Sequence, residues 1–411
     1  MERPLDVAVC GAGIAGLAAA VLLHQAGHRV RVHERDAHAA TRDQGGSIGI
    51  DGAIGRRVIE RMGLDDVFAA VSHPEDATGR VVDAAGTVIR PPRIDPESRD
   101  AEVERPELRR MLLDHLPADT VRWGHRLRSL DERDGRPHLT FEDGTDAVAD
   151  LVVGGDGAWS RVRASVGGTE PVYSGITFLD RRFPDVDRDF PSIAATIQRG
   201  TLFAHTAGLG LIAQRIGGNA RVYVAFRAEL DHVRSAPPAA LRADLERTFT
   251  AAGWDPSLTE FTTAGEEPGT VRPVFEHPVG HRWDGRVPAT GRRVAATLVG
   301  DAAHLQSPFC ALGTNNALLD AADLVDALDG AGTVEDALAA YESRMWRRAA
   351  AAAEAAHASI RAFMHDEAPA EHLRRRSTAS CRPDPAVDLD DPWAPEYLPA
   401  RFGSGARAAA E

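Results

Sequence analysis

The fold of this chain is decided near its start by the sequence Val7-Ala8-Val9-Cys10-Gly11-Ala12-Gly13-Ile14-Ala15-Gly16. An apolar strand is predicted over Asp6 to Cys10, and a helix over Ile14 to Gln25 follows the glycines. A second strand is predicted at Arg29 to His33. Such a strand–helix–strand unit is the half-fold that binds a mononucleotide.

The glycines of this turn have different predicted tasks. Gly11 makes the turn tight, Gly13 lets the backbone approach a pyrophosphate, and Gly16 allows helix and strand to pack closely. The amides that open the helix then face the phosphates. Glu34 follows the second strand at the offset where a carboxylate accepts the ribose hydroxyls. Together these residues predict a dinucleotide site, although FAD and NAD share the pattern.

The composition is that of a soluble globular protein. Of 411 residues, 43% are hydrophobic and 26% are charged, and the length predicts roughly two to three domains. The net charge of -14 at pH 7 repels phosphate backbones, so we expect no nucleic-acid partner. No apolar stretch approaches the roughly 20 residues of a membrane span, so we expect no membrane partner. Scattered cysteines (Cys10, Cys310, Cys381) and no signal-peptide pattern predict reduced thiols and a cytoplasmic location. We expect a monomer or a dimer.

Two later segments repeat the order of strand, glycine and aspartate. The first ends a strand with Gly154-Gly155-Asp156-Gly157 and places Ser160 and Arg163 on the next helix. The second is Val299-Gly300-Asp301-Ala302-Ala303-His304, which Pro308, Gly313, Asn315 and Asp320 follow. With the first glycine turn they form three separate fingerprints.

These three segments resemble the fingerprints of the single-component FAD-dependent aromatic hydroxylases, which have the p-hydroxybenzoate hydroxylase fold. The similarity covers residues 5 to about 365. Within that superfamily, three segments are most similar to the tetracycline-inactivating monooxygenases: His33-Glu34-Arg35-Asp36, Gly45-Gly46-Ser47-Ile48 and Arg105-Pro106-Glu107-Leu108-Arg109.

The resemblance implies roles for individual residues. Asp301 receives hydroxyls of the ribityl chain, and the helix that opens near Thr314-Asn315 points its positive end at the flavin. Arg105 contacts the cofactor, whereas Arg109 is expected to be a surface or salt-bridge residue. The residues assigned to the cofactor are Gly11, Gly13, Ala15, Gly16, Glu34, Arg35, Gly46, Ser47, Arg105, Asp156, Asp301, Pro308, Gly313, Thr314 and Asn315.

One residue departs from the family pattern. Relatives commonly read Pro-x-x-Gly-x-Gly where this chain has Pro308-Phe309-Cys310-Ala311-Leu312-Gly313, so Ala311 replaces a glycine. A Cβ then stands where the backbone passes the flavin ring. Cys310 is expected to be a packed small residue rather than a redox group.

The element pattern predicts an α/β fold with a discontinuous Rossmann-like FAD-binding domain, a β-sheet substrate domain and a long C-terminal helix. The sequence Thr333-Val334-Glu335-Asp336 is a capping-box start for this helix, which is predicted to reach about Phe363. Strands are expected at Thr201 to Phe203, Leu209 to Ile212 and Ala220 to Phe226. The predicted boundaries are 1–72, 101–170 and 287–330 for the FAD domain, 73–100 and 171–286 for the substrate domain, 331–367 for the helix and 368–411 for a tail.

Two residues of the predicted substrate domain are candidates for catalysis. His205 could take a phenolic proton, and Arg215 could bind an acidic or polyoxygenated substrate. The simpler interpretations are a hydrogen-bonded histidine and a surface arginine.

The resemblance implies a monooxygenase in which NADH or NADPH reduces FAD, O2 adds at flavin C4a and the hydroperoxide hydroxylates an aromatic or polyketide-like molecule. A Baeyer–Villiger or epoxidising monooxygenase uses the same chemistry and stays open. A non-catalytic flavin-binding protein is the alternative of another class. A flavin-dependent halogenase is disfavoured, because the chain contains no lysine and no Trp-x-Trp-x-Ile-Pro segment.

Overall fold

The computed structural model describes residues 3–41, 45–93, 95–206, 208–265 and 267–364, so the predicted tail 368–411 lies outside the described residues. The strands are β1 (Asp6–Cys10), β2 (Arg29–His33), β3 (Ser47–Ile50), β4 (Ser72–His73), β5 (Gly79–Val82), β6 (Val88–Arg90), β7 (Ala101–Glu104), β8 (Val121–Arg122), β9 (Leu127–Arg133), β10 (Arg136–Phe141), β11 (Asp146–Val148), β12 (Leu151–Gly154), β13 (Val172–Phe183), β14 (Gly200–Thr206), β15 (Leu209–Ile216), β16 (Asn219–Arg227), β17 (Thr270–Glu276) and β18 (Ala296–Leu298). The helices are α1 (Ile14–Gln25), α2 (Gly55–Arg61), α3 (Asp65–Val71), α4 (Arg105–Asp114), α5 (Arg161–Ser165), α6 (Val186–Asp189), α7 (Pro191–Ile197), α8 (Leu230–Ser235), α9 (Pro238–Ala251), α10 (Pro256–Thr263), α11 (Asp301–His304), α12 (Gly313–Gly330) and α13 (Val334–Met364).

Two compact units divide the chain, and each is made of separate segments. Unit 1 consists of Met1–Val71, Arg105–Val172 and Glu276–Glu354. Unit 2 consists of Ser72–Glu104, Tyr173–Phe275 and the described residues from Ala355 onward.

Unit 1 is built on a five-stranded parallel sheet in the order β18-β12-β1-β2-β8. β1 lies between β12 and β2, and Cys10 is opposite both Gly154 and His33. β12 and all but the first residue of β1 are buried, as expected for parallel strands covered on both faces. Because the strands are parallel, the residues that follow β1, β2, β12 and β18 meet at one edge of the sheet. The predicted bounds of β1, α1 and β2 are confirmed.

Unit 2 is built on a seven-stranded sheet in the order β17-β13-β16-β15-β14-β5-β6. The strands predicted in the region of β14, β15 and β16 are confirmed, and they pair antiparallel. One face, which we call the helix face, packs its apolar side chains against α7, α9 and α10; examples are Leu179, Leu202 and Val224. Since side chains alternate along a strand, the neighbours of these residues lie on the opposite face, which we call the second face.

The long helix α13 confirms the prediction of a helix from Thr333 to about Phe363. The Thr333 hydroxyl oxygen accepts a hydrogen bond from the amide of Asp336 at 3.1 Å, and it donates one to the Asp336 carboxylate at 2.7 Å. This capping arrangement fixes the start of the helix. Among the described residues no helix is long and apolar enough to span a membrane.

Candidate functional site

The glycine turn after β1 has the geometry of a phosphate cradle. Gly11 has a φ of +99°, and a Cβ there would overlap the carbonyl oxygen of Gly155, which follows β12. A Cβ on Gly16 would overlap the carbonyl of Gly11. In front of Gly13, by contrast, the nearest protein atom lies 4.0 Å from the position of a Cβ. The backbone is therefore packed on the protein side and open at the glycine predicted to approach the pyrophosphate, so the turn fits the pyrophosphate of a dinucleotide such as FAD.

Glu34 supports this turn directly. Its carboxylate is buried and accepts hydrogen bonds from the amides of Ala12 at 2.6 Å and Asp36 at 2.9 Å. The side chain of Arg35 is half exposed, and its guanidinium lies 4.0 Å from the carboxylate of Asp36. The contacts of Glu34 and Arg35 with a ribose or adenine stay predictions.

The expectation that Arg109 lies on the surface is wrong. The residue is 4% exposed, and its guanidinium donates to the carbonyls of Ala12 and Ala39, each at 2.7 Å. Arg109 therefore connects α4 to the glycine turn and stabilises the conformation of the turn. A signal was present in the sequence, since Leu108 and Leu112 mark the buried stripe of α4 and Arg109 is adjacent to it on the helical wheel.

Arg105 lies beside the glycine pair that precedes β3. Its amide donates to the carbonyl of Gly46 at 3.1 Å, and its Nε lies 3.3 Å from where a Cβ of Gly45 would stand. The structure thus brings together Arg105, Gly46 and Ser47, three residues that sequence reasoning assigned separately to the cofactor.

The second fingerprint is held by its own aspartate. The Asp156 carboxylate accepts hydrogen bonds from the Ser160 hydroxyl at 2.5 Å and from the Arg161 amide at 2.8 Å, and so caps α5. Arg163, which is 2% exposed, donates to the carbonyl of Ala302 at 3.1 Å and links this fingerprint to the third. The side chain of Asp156 stabilises the local fold, and its predicted cofactor contact stays a prediction.

The third fingerprint forms what we call the Asp301 segment, residues 300–304. Asp301 is exposed and opens the short helix α11. Gly300 has a φ of +60°, and a Cβ there would lie 2.6 Å from the Cβ of Ala15 in α1. The first and third fingerprints are therefore in contact.

Asp320 of α12 holds both ends of the Asp301 segment. One of its carboxylate oxygens accepts the Gly300 amide at 2.8 Å and lies 2.6 Å from Nε2 of His304. Burial lowers the pKa of His304, but the adjacent Asp320 carboxylate outweighs burial and raises the pKa of His304 above its usual value. Burial raises the pKa of Asp320, but the neighbouring His304 and Arg348 outweigh burial and lower the pKa of Asp320 below its usual value.

Two histidines that sequence reasoning did not single out lie beside this segment. His277 and His281 have ring centroids 4.2 Å apart and line a small cavity together with Ala303 and alanines of α13. His277 is 3% exposed, and burial, followed by the neighbouring His281, lowers the pKa of His277 to about 3.

This buried imidazole predicts a loss of stability in acid. The unfolded chain protonates His277 below about pH 6.5, but the folded protein does not, so the free energy of unfolding falls as pH falls from about 6.5. We expect His277→Gln to reduce the loss between pH 7 and pH 5 by about 2 kcal/mol. Urea unfolding at both pH values measures this, with the exposed His24→Gln as the control. Equal losses in wild type and His277→Gln would contradict the prediction.

The segment from Pro308 to Asn315 joins the Asp301 segment to α12. Pro308 opens a 3-10 turn, and α12 begins at Gly313, as the prediction of a helix near Thr314 requires. The Asn315 amide group donates to the carbonyls of Gly49 at 3.0 Å and Ala311 at 3.1 Å. Its oxygen accepts from the amide of Asp51 at 2.9 Å. The side chain of Asn315 thus fixes the backbone of this segment.

Ala311 has a left-handed backbone conformation, with a φ of 54°. Glycine adopts this conformation without the steric cost that a Cβ adds, which explains the glycine usual at this position. We expect Ala311→Gly to stabilise the protein by about 0.5–1 kcal/mol. Chemical unfolding measures the change, and Ala317→Gly within α12 is a matched control expected to destabilise by about 1 kcal/mol. Equal destabilisation by both substitutions would contradict the argument.

His205 lies in unit 2, one residue before the end of β14. It belongs to β14, is opposite Gly210 of β15, and is 6% exposed. Its ring stacks on Phe363 with a centroid distance of 4.5 Å. The register places its side chain on the second face.

Arg215 lies in the same sheet but on the helix face. Its guanidinium is 2.5 Å from the carboxylate of Asp187 and 3.2 Å from the carbonyl of Gln198. Arg215 therefore ties β15 to the neighbouring helices, and the structure does not bring it together with His205.

Comparisons with known proteins identify the family of this chain. The family model described as "FAD binding domain" matches residues 4–279 and 284–356. The chain is similar to the 3-amino-4-hydroxybenzoate 2-monooxygenase PtnB3 of Streptomyces platensis, with 31% identity over 98% of each chain. It is also similar to the 6-hydroxynicotinate 3-monooxygenase of Pseudomonas fluorescens, with 27% identity over 87% of this chain and 91% of the relative.

Among solved structures, the chain shares its fold with tetracycline destructase Tet(55). The TM-score is 0.70 at 22% identity, and the match covers 92% of this chain and 94% of that one. The family match spans most of the chain and contains all three fingerprints. This chain belongs to the FAD binding domain family of aromatic monooxygenases and is an FAD-dependent monooxygenase.

Proposed function

We propose that this enzyme hydroxylates a single-ring aromatic carboxylic acid that already carries a ring hydroxyl, with NADH or NADPH and O2 as co-substrates. The observation that carries the proposal is the match to PtnB3 over 98% of both chains. The second relative acts on a hydroxylated pyridine acid according to its name, which belongs to the same chemical class. The likeness to the tetracycline destructase is one of fold at 22% identity and does not favour a polycyclic substrate.

The second face of unit 2 supports an aromatic substrate. Phe203 is in register with Ile212 of β15, and Ile212 is in register with Tyr223 of β16, so all three side chains share this face with His205. Phe178 also lies there, with its ring centroid 5.5 Å from that of Tyr223. Aromatic side chains pack favourably against a planar ring and exclude water from it.

In this proposal, residues of unit 1 bind FAD, and a residue of unit 2 accepts a proton from the substrate. Bound FAD would supply the redox chemistry, namely acceptance of a hydride from the nicotinamide and activation of O2. Gly13 and the amides at the start of α1 would hold its pyrophosphate, and Asp301 would accept hydroxyls of its ribityl chain. An imidazole nitrogen of His205 accepts the proton of the ring hydroxyl, which makes the ring more electron-rich.

A substrate panel tests this proposal. NADH and NADPH oxidation would be measured with 3-amino-4-hydroxybenzoate, 6-hydroxynicotinate, 2-aminophenol as the analogue without a carboxylate, and a tetracycline. We expect stimulated oxidation and a hydroxylated product with one or both acids, and much less with 2-aminophenol. Turnover of the tetracycline alone would refute the proposed substrate class, and nucleotide oxidation without an oxygenated product would refute hydroxylation.

A further inference from the structure

We infer that Arg348 is a positioning residue for the FAD site, because it fixes the Asp320 carboxylate that holds both ends of the Asp301 segment. Arg348 lies on α13, far along the chain from the three fingerprints, and no sequence motif marks it. The inference goes beyond the proposed substrate class but rests on the proposed contact between Asp301 and FAD.

The first step is the contact between Arg348 and two carboxylates of α12. One guanidinium nitrogen donates to Asp320 at 2.7 Å and the other to Asp323 at 2.6 Å. Arg348 is 7% exposed, Asp320 is 0% exposed and Asp323 is 6% exposed. A planar guanidinium can bind two carboxylates in a fixed geometry, which the single ammonium of lysine cannot reproduce.

The second step is that the two carboxylate oxygens of Asp320 have different hydrogen-bond partners. One oxygen receives Arg348, and the other receives the Gly300 amide and His304. With Arg348 in place, the carboxylate cannot rotate without losing a charged hydrogen bond in a buried site. The orientation of Asp320, and with it the Asp301 segment, therefore depends on Arg348.

The third step is the balance of charge. His304 and Arg348 face Asp320 and Asp323, so two basic groups meet two acidic ones in the protein interior. Removing Arg348 leaves an uncompensated buried carboxylate, which must rotate toward another donor or take up a proton. Either response weakens the hydrogen bond that the Asp320 carboxylate accepts from the Gly300 amide.

The test compares four variants of the full-length protein, with and without bound FAD. Arg348→Met removes the positive charge. Arg348→Lys keeps a positive charge but lacks the guanidinium group that binds two carboxylates at once. Asp323→Asn leaves the Arg348–Asp320 pair in place. Arg347→Met is the matched control, since Arg347 is exposed on the same helix and its guanidinium donates a hydrogen bond to the nearby Ser343 hydroxyl at 3.1 Å. FAD dissociation is followed by the fluorescence of released flavin, and amide hydrogen exchange of residues 300–304 is measured in each apoprotein.

We expect Arg348→Met to weaken FAD binding about 10-fold or more and to speed exchange in residues 300–304, because residues of one hydrogen-bonded network couple strongly. Arg348→Lys should recover part of the affinity. Asp323→Asn should lose clearly less affinity than Arg348→Met, because it keeps the Arg348–Asp320 pair, and Arg347→Met should bind FAD like the wild type. If Arg348→Met does not fold, Arg348→Lys still has to show intermediate affinity and exchange.

Unchanged FAD affinity in Arg348→Met or in Arg348→Lys would overturn the inference. So would an equal loss in Asp323→Asn, since that pattern would show general weakening of the helix pair. Asp301→Ala separates the two assignments: if it releases FAD while Arg348→Met does not, the positioning role fails and the Asp301 contact stands. If neither variant releases FAD, both assignments fail.

Discussion

Asp301→Ala should yield a protein that folds but purifies with little or no FAD. A carboxylate that accepts hydroxyl groups makes charge-assisted hydrogen bonds, each worth about 1.5–3 kcal/mol. Losing two of them weakens binding by about 100-fold or more. The flavin absorbance of the purified protein and the dissociation constant of added FAD measure the effect.

The structure indicates that Asp301→Ala should leave the fold of the protein intact. Asp301 is exposed at the first position of α11, and the contacts that hold its segment are made by the neighbouring residues Gly300 and His304. The apoprotein should therefore keep its unfolding midpoint. Asp329→Ala, an equally exposed change at the end of α12, serves as the control. Full flavin content in Asp301→Ala would remove Asp301 from the cofactor site.

His205→Gln should lower the rate of product formation by about 10²- to 10⁴-fold and leave the FAD content unchanged. The amide of glutamine can hydrogen-bond to a ring hydroxyl but cannot take its proton. We expect the rate to recover as pH rises, because the substrate hydroxyl then ionises without a base. Product formation measured by chromatography between about pH 6 and pH 10 gives this profile.

Arg215→Gln is the matched control for His205→Gln, since the two residues lie in adjacent strands on opposite faces of one sheet. Loss of the contact with Asp187 should affect stability by at most about 1 kcal/mol and leave the pH profile unchanged. A normal rate in His205→Gln, or a lowered rate without pH recovery, would rule out the role of His205 as the base.

The parts of the fold that local sequence determines were predicted with correct bounds. The bounds of β1, α1 and β2 follow from an apolar strand, a glycine turn and a helical pattern, and α13 follows from the capping pair at Thr333 and Asp336. The order of the seven-stranded sheet could not be predicted in this way. β5 pairs in parallel with β14, which lies more than a hundred residues later, and no local pattern encodes that pairing.

The same distinction applies to the site. The glycines are recognisable because backbone geometry requires them, and Ala311 stands out because its left-handed conformation favours glycine. Arg109 and Arg348 were misjudged or missed, since each is buried by hydrogen bonds to residues distant in sequence. His277 was missed because it is packed beside Ala303 and alanines of α13, which lie later in the chain. A buried arginine looks like a surface arginine until its carbonyl or carboxylate partners are known.

The most direct test of the central claim is a mass measurement of the product formed under isotopically labelled O2. Purified enzyme would be incubated with NADH or NADPH and either 3-amino-4-hydroxybenzoate or 6-hydroxynicotinate. If the enzyme is a monooxygenase for hydroxylated aromatic acids, at least one product carries one labelled oxygen atom for each nucleotide oxidised. Unaltered acids with the nucleotide consumed, or a product whose new oxygen comes from water, would contradict the claim.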